Sequence, residues 1–365
     1  MQKAFINSRQ SIVTFTMVIL GGCLITDGAH YAGRHIGVAA LASLATALPL
    51  YLACARTASL YPRDSLFGMT EKLFGKTVSK VLIGIFVVYA LHSAALGNIQ
   101  YSLYSSNTIF EKTHPVFLIL PLTGGCIFLG IGRAGVLGRM GRLLFILTGA
   151  LLVLLSICSL PYMETENLRP VLQDWSKASF FSSTRANLAY PFGDAIVLLT
   201  IAGAVKQGQS RYKAMLLPLL LGGGIFIAIS MRDVMILGEY AFISSWFPSS
   251  LAISRVSVSN YVQNIQLAEG FVFLFCVFIR TGVFLYGACK GLQYLLSLQK
   301  KPIIMLSATI LPLSAAGIWF LDTPNKMFEY IYRIYPMAAL PFQFLFILII
   351  WLAAERKSRE ITSGL

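Results

Sequence analysis

Long apolar segments separated by short polar connections run through the whole chain. On a hydropathy scale with windows of about 19 residues, ten segments stand out. They lie near residues 11–32, 37–56, 80–106, 116–132, 143–160, 187–205, 214–231, 266–296, 303–320 and 337–354. A helix needs about 20 apolar residues to cross ~30 Å of hydrocarbon, and the alternating pattern of barrel strands is missing. The pattern therefore predicts an all-α membrane protein with ten transmembrane helices.

Two connections refine this prediction. The polar residues 1–10 lead into the first apolar segment without a small-residue cleavage site, which favours a retained first helix over a signal peptide. Residues 232–265 form a long mixed connection with room for a short interfacial helix. We expect residues 1–365 to form a single transmembrane domain embedded in the lipid bilayer.

The composition and the basic residues agree with a membrane protein and predict its orientation. Hydrophobic residues make up 56% of the chain and charged residues 12%, whereas soluble proteins carry roughly 25% charged residues. Of the 29 Lys and Arg residues, 19 lie in connections on the side of the two termini. The positive-inside rule thus predicts cytoplasmic N- and C-termini. Because the basic residues occupy separate short loops, the net charge of +14 does not indicate nucleic-acid binding.

Two of the ten segments contain residues that interrupt a helix. They are the first, with "ILGGCLITDGAHYAG", and the sixth, with "AYPFGDAIVLLTI". Freed backbone groups are tolerated in a membrane only beside a cavity or buried partners. Interrupted segments at matching positions of two halves point to an inverted-repeat transporter fold with a site between the repeats. We therefore expect five helices plus five, in repeats of about 8–162 and 185–356, with helices 1 and 6 broken.

A simpler interpretation is open for each break. Gly21 and Gly22 are suited to a close crossing of two helices. Pro191 is suited to the first turn of a helix. Asp194 can cap the helix that follows it, because a negative side chain is favoured at a helix N-terminus. The occurrence of both breaks at matching positions favours a binding site.

A small zwitterion needs hydrogen-bond donors for its carboxylate and acceptors for its ammonium group, and the ends of broken helices supply both. Glycine lets a ligand approach the backbone closely. The candidate carboxylate contacts at the first break are Gly21, Gly22 and Cys23. The candidates at the second break supply an aromatic wall, bare backbone and a carboxylate, and they are Tyr190, Phe192, Gly193 and Asp194.

Polar residues of the third segment and one acid of the first are further candidates. Tyr89 and Asn98 are suited to a cavity wall, with a polar seam between helices as the alternative. Asp27 precedes Gly28 near the outer end of the first segment. It is interpreted either as a vestibule carboxylate that attracts cations or as a solvated helix end.

Two charged residues of the eighth segment are candidates for a structural or gating role. Glu269 and Arg280 are eleven residues apart, which separates them by about 16 Å on one helix face and prevents direct pairing. An unpaired guanidinium in lipid is costly. We therefore expect Arg280 to face the bundle and to meet Asp27, Asp194 or a backbone carbonyl.

The sequence offers little for catalysis or metal binding. The six cysteines, at positions 23, 54, 126, 158, 276 and 289, are scattered singly, which is typical of small buried hydrophobic residues. A G-x-S-x-G motif and a membrane-embedded His/Glu metal motif are missing from the sequence, and none of the ten apolar segments contains a closely spaced pair of carboxylates. We expect no enzyme activity, no metal and no cofactor.

Five blocks in order resemble the GerAB family of endospore germination proteins, of the amino acid/polyamine/organocation (APC) superfamily. They are "SRQ" (8–10), "YPRDSLFGMTEKLFGKTVSKVL" (61–82), "GRAGVLGRMGRLLF" (132–145), "NLRPVLQDWSKASFFSSTRANLAYPFGDAIVLLTIAGAVKQGQSRYKA" (167–214) and "VFIRTGVFLYGACKGLQYL" (277–295). The family usually has Glu where Asp194 stands.

The resemblance implies the broken-helix fold of the LeuT/APC type and a location in the spore inner membrane. It also implies a function: the nutrient-sensing subunit of a germinant receptor, which binds a small molecule such as an amino acid and triggers germination. The expected partners are a membrane subunit of the GerAA type and a lipoprotein of the GerAC type. The alternative is an ion-coupled amino acid permease.

Overall fold

The computed structural model describes residues 6–25, 30–169, 176–206, 208–256, 265–298 and 302–363, and these ranges are almost entirely helical. The first six α-helices are α1 (Ser8–Cys23), α2 (Ile36–Leu60), α3 (Leu66–Thr108), α4 (Pro115–Gly130), α5 (Ala134–Ser159) and α6 (Lys177–Ala189). The others are α7 (Ala195–Ala202), α8 (Arg211–Ser244), α9 (Pro248–Ser254), α10 (Ile265–Leu295), α11 (Ile303–Phe320), α12 (Pro324–Glu329) and α13 (Tyr335–Ser363). A π-helical turn, Tyr330–Ile334, joins α12 to α13.

The helices agree with the ten spans that the sequence predicts. Over the described ranges, seven helical segments are long and apolar enough to cross a membrane, and α4 is a shorter apolar helix. The remaining two spans are α1 and the interrupted pair of α6 and α7. The protein is therefore a multi-pass helical membrane protein. Its division into repeats of about 8–162 and 185–356 stays a prediction.

The seventh span is longer than its hydropathy predicts. The sequence places its end near residue 231, whereas α8 continues past Arg232 and Asp233 to a kink at Gly238 (φ 74°, ψ 163°) and reaches Ser244 beyond it. Arg232 and Asp233, which lower the hydropathy there, form an ion pair inside the bundle with an Nη2 to Oδ1 distance of 2.6 Å. The paired charges are compatible with a helix that stays buried. The short helix expected within 232–265 is present as α9.

The first break begins later than the sequence predicts. Gly21 and Gly22 remain helical, α1 ends at Cys23, and a 3₁₀ turn over His30–His35 leads into α2. The two glycines do not interrupt the helix because they form its contact surface with α10. A Cβ atom on Gly21 would lie 2.5 Å from the carbonyl oxygen of Cys276. Asp27 lies outside the described residues.

The second break is placed as the sequence predicts. Helix α6 ends at Ala189, Tyr190 is extended with φ −148° and ψ 109°, and a 3₁₀ turn covers Phe192–Asp194 before α7 begins. The Tyr190–Pro191 peptide bond is cis. All eight residues of α7 are buried, so this break lies in the interior of the bundle.

Helix α10 is the centre around which the other helices pack. It is the most deeply buried of the long spans and contacts α1, α3, α4 and α5. Helix α2 packs against α8 and α13. The break between α6 and α7 is thereby enclosed by α2, α3, α10 and α13.

The packing at the end of α7 yields a stability prediction. A Cβ atom on Gly203 would lie 2.7 Å from the backbone carbonyl of Asp64 and 2.8 Å from the Ser65 nitrogen. Since backbone cannot move aside as a flexible side chain does, Gly203→Ala is expected to destabilise the protein by about 1–3 kcal/mol.

The control is Gly224→Ala, because a Cβ atom on Gly224 meets nothing within 4 Å. Alanine has the higher helix propensity, by about 1 kcal/mol, so this variant should be neutral or slightly more stable. Thermal unfolding in one detergent compares the two. Equal midpoints would show that the close contact at Gly203 is not part of the fold.

Candidate functional site

A buried ion pair joins the second break to the central helix. Arg280 of α10 lies 2.6 Å from Asp194, measured from Nη2 to Oδ2, and the two side chains are 0% and 2% exposed. Arg280 Nη1 also donates to the Val18 carbonyl of α1 at 3.2 Å. Of the three partners considered for Arg280 from the sequence, the structure provides Asp194 and a backbone carbonyl. The ion pair therefore links α1, α10 and the start of α7.

Asp194 holds the N-cap position of α7, but its side chain makes no capping hydrogen bond. Its carboxylate turns into the bundle instead. The Tyr89 hydroxyl donates to Oδ1, and Gln343 Nε2 donates to the same oxygen at 3.4 Å. Gln343 Nε2 also lies 2.9 Å from the Ala189 carbonyl at the end of α6. The capping interpretation of Asp194 is therefore wrong, and its carboxylate is a member of a buried polar network.

Aromatic rings enclose the guanidinium of Arg280. Its central carbon lies 4.2 Å from the ring centroid of Tyr190 and 5.0 Å from that of Phe284, both within the range of cation–π attraction. The Tyr190 hydroxyl donates to Gln100 Oε1 at 2.8 Å, and the Tyr190 ring meets that of Tyr335 edge to face. The wall expected near the break thus includes side chains from α3, α10 and α13.

Gly22, in the last turn of α1, and Gly193, at the second break, bring backbone against this network. A Cβ atom on Gly22 would lie 2.5 Å from Pro191 Cβ and 3.0 Å from Arg280 Nη1. A Cβ atom on Gly193 would overlap the side-chain amide of Gln343. Both positions therefore leave no space for a side chain. Cys23 follows in the last turn of α1, where its thiol donates to the Ile19 carbonyl at 3.3 Å.

Three of the predicted residues lie away from the ion pair. Phe192 packs edge to face against Phe226 of α8. Asn98 donates to Thr123 Oγ1 at 2.9 Å, in the seam between α3 and α4. Glu269 belongs to a second buried polar cluster, at the end of the bundle where α10 begins. We call this end the α9 end.

Sequence reasoning missed Gln343, which joins three elements of the network. It is fully buried and bonds to Tyr89 at 2.9 Å in addition to its contacts at the break. The sequence does contain an indication of its importance, because Gln343 is the only amide residue in the apolar stretch 337–354. A polar side chain inside a membrane span is by default a functional candidate.

The fold is similar to that of solved structures of membrane transporters. MhsT, crystallised in complex with L-phenylalanine, has a TM-score of 0.55 at 15% identity, covering 95% of this chain and 98% of that chain. Mhp1, a nucleobase-cation-symport-1 family transporter in a closed conformation with bromovinylhydantoin bound, has a TM-score of 0.58 at 13% identity, covering 98% and 94%. At such identities the likeness concerns the fold. The chain therefore has the fold of these two proteins.

The family is identified by sequence. A family model described as spore germination protein (Spore_permease) matches residues 6–323. The chain belongs to this family, and the resemblance to GerAB proteins is confirmed. No curated protein matches the chain.

The ion pair predicts a non-additive effect on stability. Asp194→Asn leaves a buried guanidinium without its counter-charge, and Arg280→Met does the same to the carboxylate. Each single change is expected to destabilise the protein by about 3–5 kcal/mol. The double variant should lose less than the sum of the two, and chemical unfolding in detergent measures this double-mutant cycle.

Glu329→Gln is the matched control, because it removes an exposed pair with Arg333 that is worth about 0–1 kcal/mol. Strictly additive effects of the two buried changes would contradict the pairing of Arg280 with Asp194.

Proposed function

We propose that this chain is the nutrient-sensing subunit of a spore germinant receptor. It binds a zwitterionic small molecule such as an amino acid where α1 meets the break between α6 and α7. The single observation that carries the proposal is the Arg280–Asp194 ion pair at the second break. We further propose that the chain catalyses no reaction and needs no cofactor.

The charges of the pair match those of an amino acid. An α-amino acid carries a carboxylate and an ammonium group on one carbon. When it enters between Arg280 and Asp194, the guanidinium receives the ligand carboxylate, with the strong bidentate geometry of Arg, and Asp194 receives the ammonium. Two ion pairs then replace one, so no buried charge is left uncompensated. A ligand with a single charge would leave one member of the pair without a partner.

The elements that hold the pair supply a route from binding to signalling. Asp194 directly precedes α7, whereas Arg280 and the Val18 carbonyl lie on α10 and α1. A ligand that separates the pair therefore displaces α7 relative to those helices. Beyond α7, the backbone pairs with Ile6: the Ile6 nitrogen donates to the Ala204 carbonyl at 2.8 Å. The displacement would reach the N-terminal segment.

Binding signals only if the ligand prefers one arrangement of these helices. In this mechanism the nutrient binds the active arrangement more tightly and shifts the population toward it. We propose that the shift is passed to a GerAA-type membrane subunit and a GerAC-type lipoprotein in the spore inner membrane. The termini face the cytoplasm in this proposal, as the basic connections indicate. The family match supports these assignments.

A ligand panel tests the proposed site. The full chain in lipid nanodiscs is heated with L-amino acids, sugars or nucleosides. Some amino acids are expected to raise the unfolding temperature, since a ligand at 100 times its Kd stabilises by about 2.7 kcal/mol. Gly22→Leu should abolish this shift, because its side chain would occupy the space of Pro191 and Arg280.

Gly224→Leu controls for the added volume, because Gly224 is exposed on α8, and it should keep the shift. Spores that carry Gly22→Leu should fail to germinate on the same amino acid while the chain still inserts into the membrane. A full shift and a normal germination response in Gly22→Leu would place the site elsewhere.

The second candidate function is an ion-coupled amino acid permease, which the transporter fold favours. Proteoliposomes that contain this chain alone separate the two functions. If the chain is a receptor subunit, a labelled amino acid identified by the panel should bind in an amount no greater than the amount of protein. It should not accumulate inside the vesicles. Accumulation that follows an imposed H⁺ or Na⁺ gradient, and that disappears in Asp194→Asn, would establish transport instead.

A further inference from the structure

A second group of polar side chains is buried at the α9 end, apart from the central ion pair. Its members lie on three helices, and each is less than a tenth exposed: Arg232 and Asp233 of α8, Ser249 and Ser250 of α9, and Glu269 of α10. The Arg232 guanidinium donates twice to Asp233 Oδ1, at 2.6 and 2.9 Å, and once to Ser249 Oγ at 2.9 Å. Arg232 is thereby held to Asp233 and α9 through Nε and Nη2, while its Nη1 atom has no hydrogen-bond partner among the described residues.

Glu269 brings a second carboxylate into this group. It faces the Ser249 and Ser250 hydroxyls and lies within electrostatic reach of Arg232 and Asp233. Its Oε2 atom has no hydrogen-bond partner within the part of the chain that the structure describes. The group therefore contains one guanidinium and two carboxylates, which leaves an excess negative charge in a buried place.

Among the described residues, few other titratable or charged groups surround Glu269. From α3, Tyr104 faces it, and the Tyr104 ring packs against Phe247 and Phe273. Arg255, which follows α9, is exposed and directs its guanidinium to the Ile236 and Leu237 carbonyls of α8 at 3.4 Å. None of these contacts compensates the second carboxylate.

A proton or a metal cation can remove an excess negative charge from a buried site. A metal ion would need several oxygen ligands, and it would lie beside the guanidinium of Arg232, which repels it. No group of three or more His, Cys, Asp or Glu side chains suited to a metal occurs in the part of the chain that the structure describes. A proton needs only Glu269 Oε2, which then becomes a hydrogen-bond donor.

We propose that Glu269 binds a proton when the α9 end is closed and releases it when this end opens to water. Because the closed form then holds one more proton than the open form, acid favours closure and alkali favours opening. The protein would respond to pH at a site separate from its small-molecule site. This inference does not depend on which ligand binds there.

Aromatic contacts connect the α9 end with the central network. Phe247, at the start of α9, packs against Phe328, and Phe328 packs against Tyr332 of the π-helical turn. Three residues further along the chain, Tyr335 meets the ring of Tyr190 at the second break. Protonation of Glu269 would thus bias the elements that cover the candidate ligand site.

Infrared spectroscopy of the full chain in nanodiscs tests the proton directly. The wild type at neutral pH is expected to show the carbonyl band of a buried protonated carboxylic acid. Glu269→Gln should remove this band, and Glu329→Gln, which changes an exposed acid, should leave it unchanged. A wild type without the band, or a band that survives in Glu269→Gln, would overturn the proposal.

Asp233→Asn is a second variant in which Glu269 is retained. Arg232 then compensates an ionised Glu269, so the band is expected to vanish although the residue is present. Persistence of the band in this variant would contradict the charge argument. This variant also keeps the proposal testable if Glu269→Gln fails to fold.

Thiol labelling tests the link to opening. Ala252 of α9 is fully buried, and Ala252→Cys is introduced together with Cys158→Ser, which removes a partly exposed native thiol. With Glu269 present, labelling by an impermeant maleimide should rise with pH several-fold more than with Glu269→Gln. Dividing the labelling rate with Glu269 by the rate with Glu269→Gln at each pH removes the contribution of the ionisation of the thiol itself. Equal pH profiles would separate Glu269 from opening, and labelling that falls with pH would reverse the proposed sign.

Discussion

The Arg280–Asp194 ion pair is the constraint on which the centre of the structure depends. A guanidinium and a carboxylate inside a bilayer-spanning bundle are tolerated only together. Keeping them together requires a helix that begins directly after Asp194, a glycine surface on α1 that allows α10 to approach, and the Tyr89 and Gln343 side chains that donate to Asp194 Oδ1. The broken helix and the close helix crossings thus both serve to keep the two buried charges paired.

The sequence predicts much of this architecture, because its strongest signals are local. Apolar length gives the spans, and the proline and glycine before Asp194 give the second break. The sequence places the first break too early, because a glycine pair gives the same sequence pattern whether it ends a helix or packs against another helix. Only the position of Cys276 on α10 shows that this pair is a packing surface. The sequence does not predict the role of Gln343 or the direction in which the Asp194 side chain points. Both depend on contacts between distant helices.

The two buried polar groups differ in their charge balance, and this difference separates their proposed roles. At the centre, one cation is paired with one anion, so the charges balance. In the proposed function, only a ligand with both charges can separate this pair without leaving a buried charge uncompensated. At the α9 end, Arg232 meets two acids, so the arrangement is complete only with an added proton. The bundle would therefore combine recognition of a neutral zwitterion with sensitivity to acidity through the same electrostatic rule.

The position of Gln343 has a consequence for how the protein fits its membrane. This amide fixes the rotation of α13, since it must reach Tyr89, Ala189 and Asp194 at once. A helix turns about 100° per residue, so a slip of a single residue would carry the amide away from all three partners. The last span therefore cannot adapt to a thicker or thinner bilayer by sliding along its axis. Any mismatch with the lipid must be taken up by tilt or by helices without such an anchor.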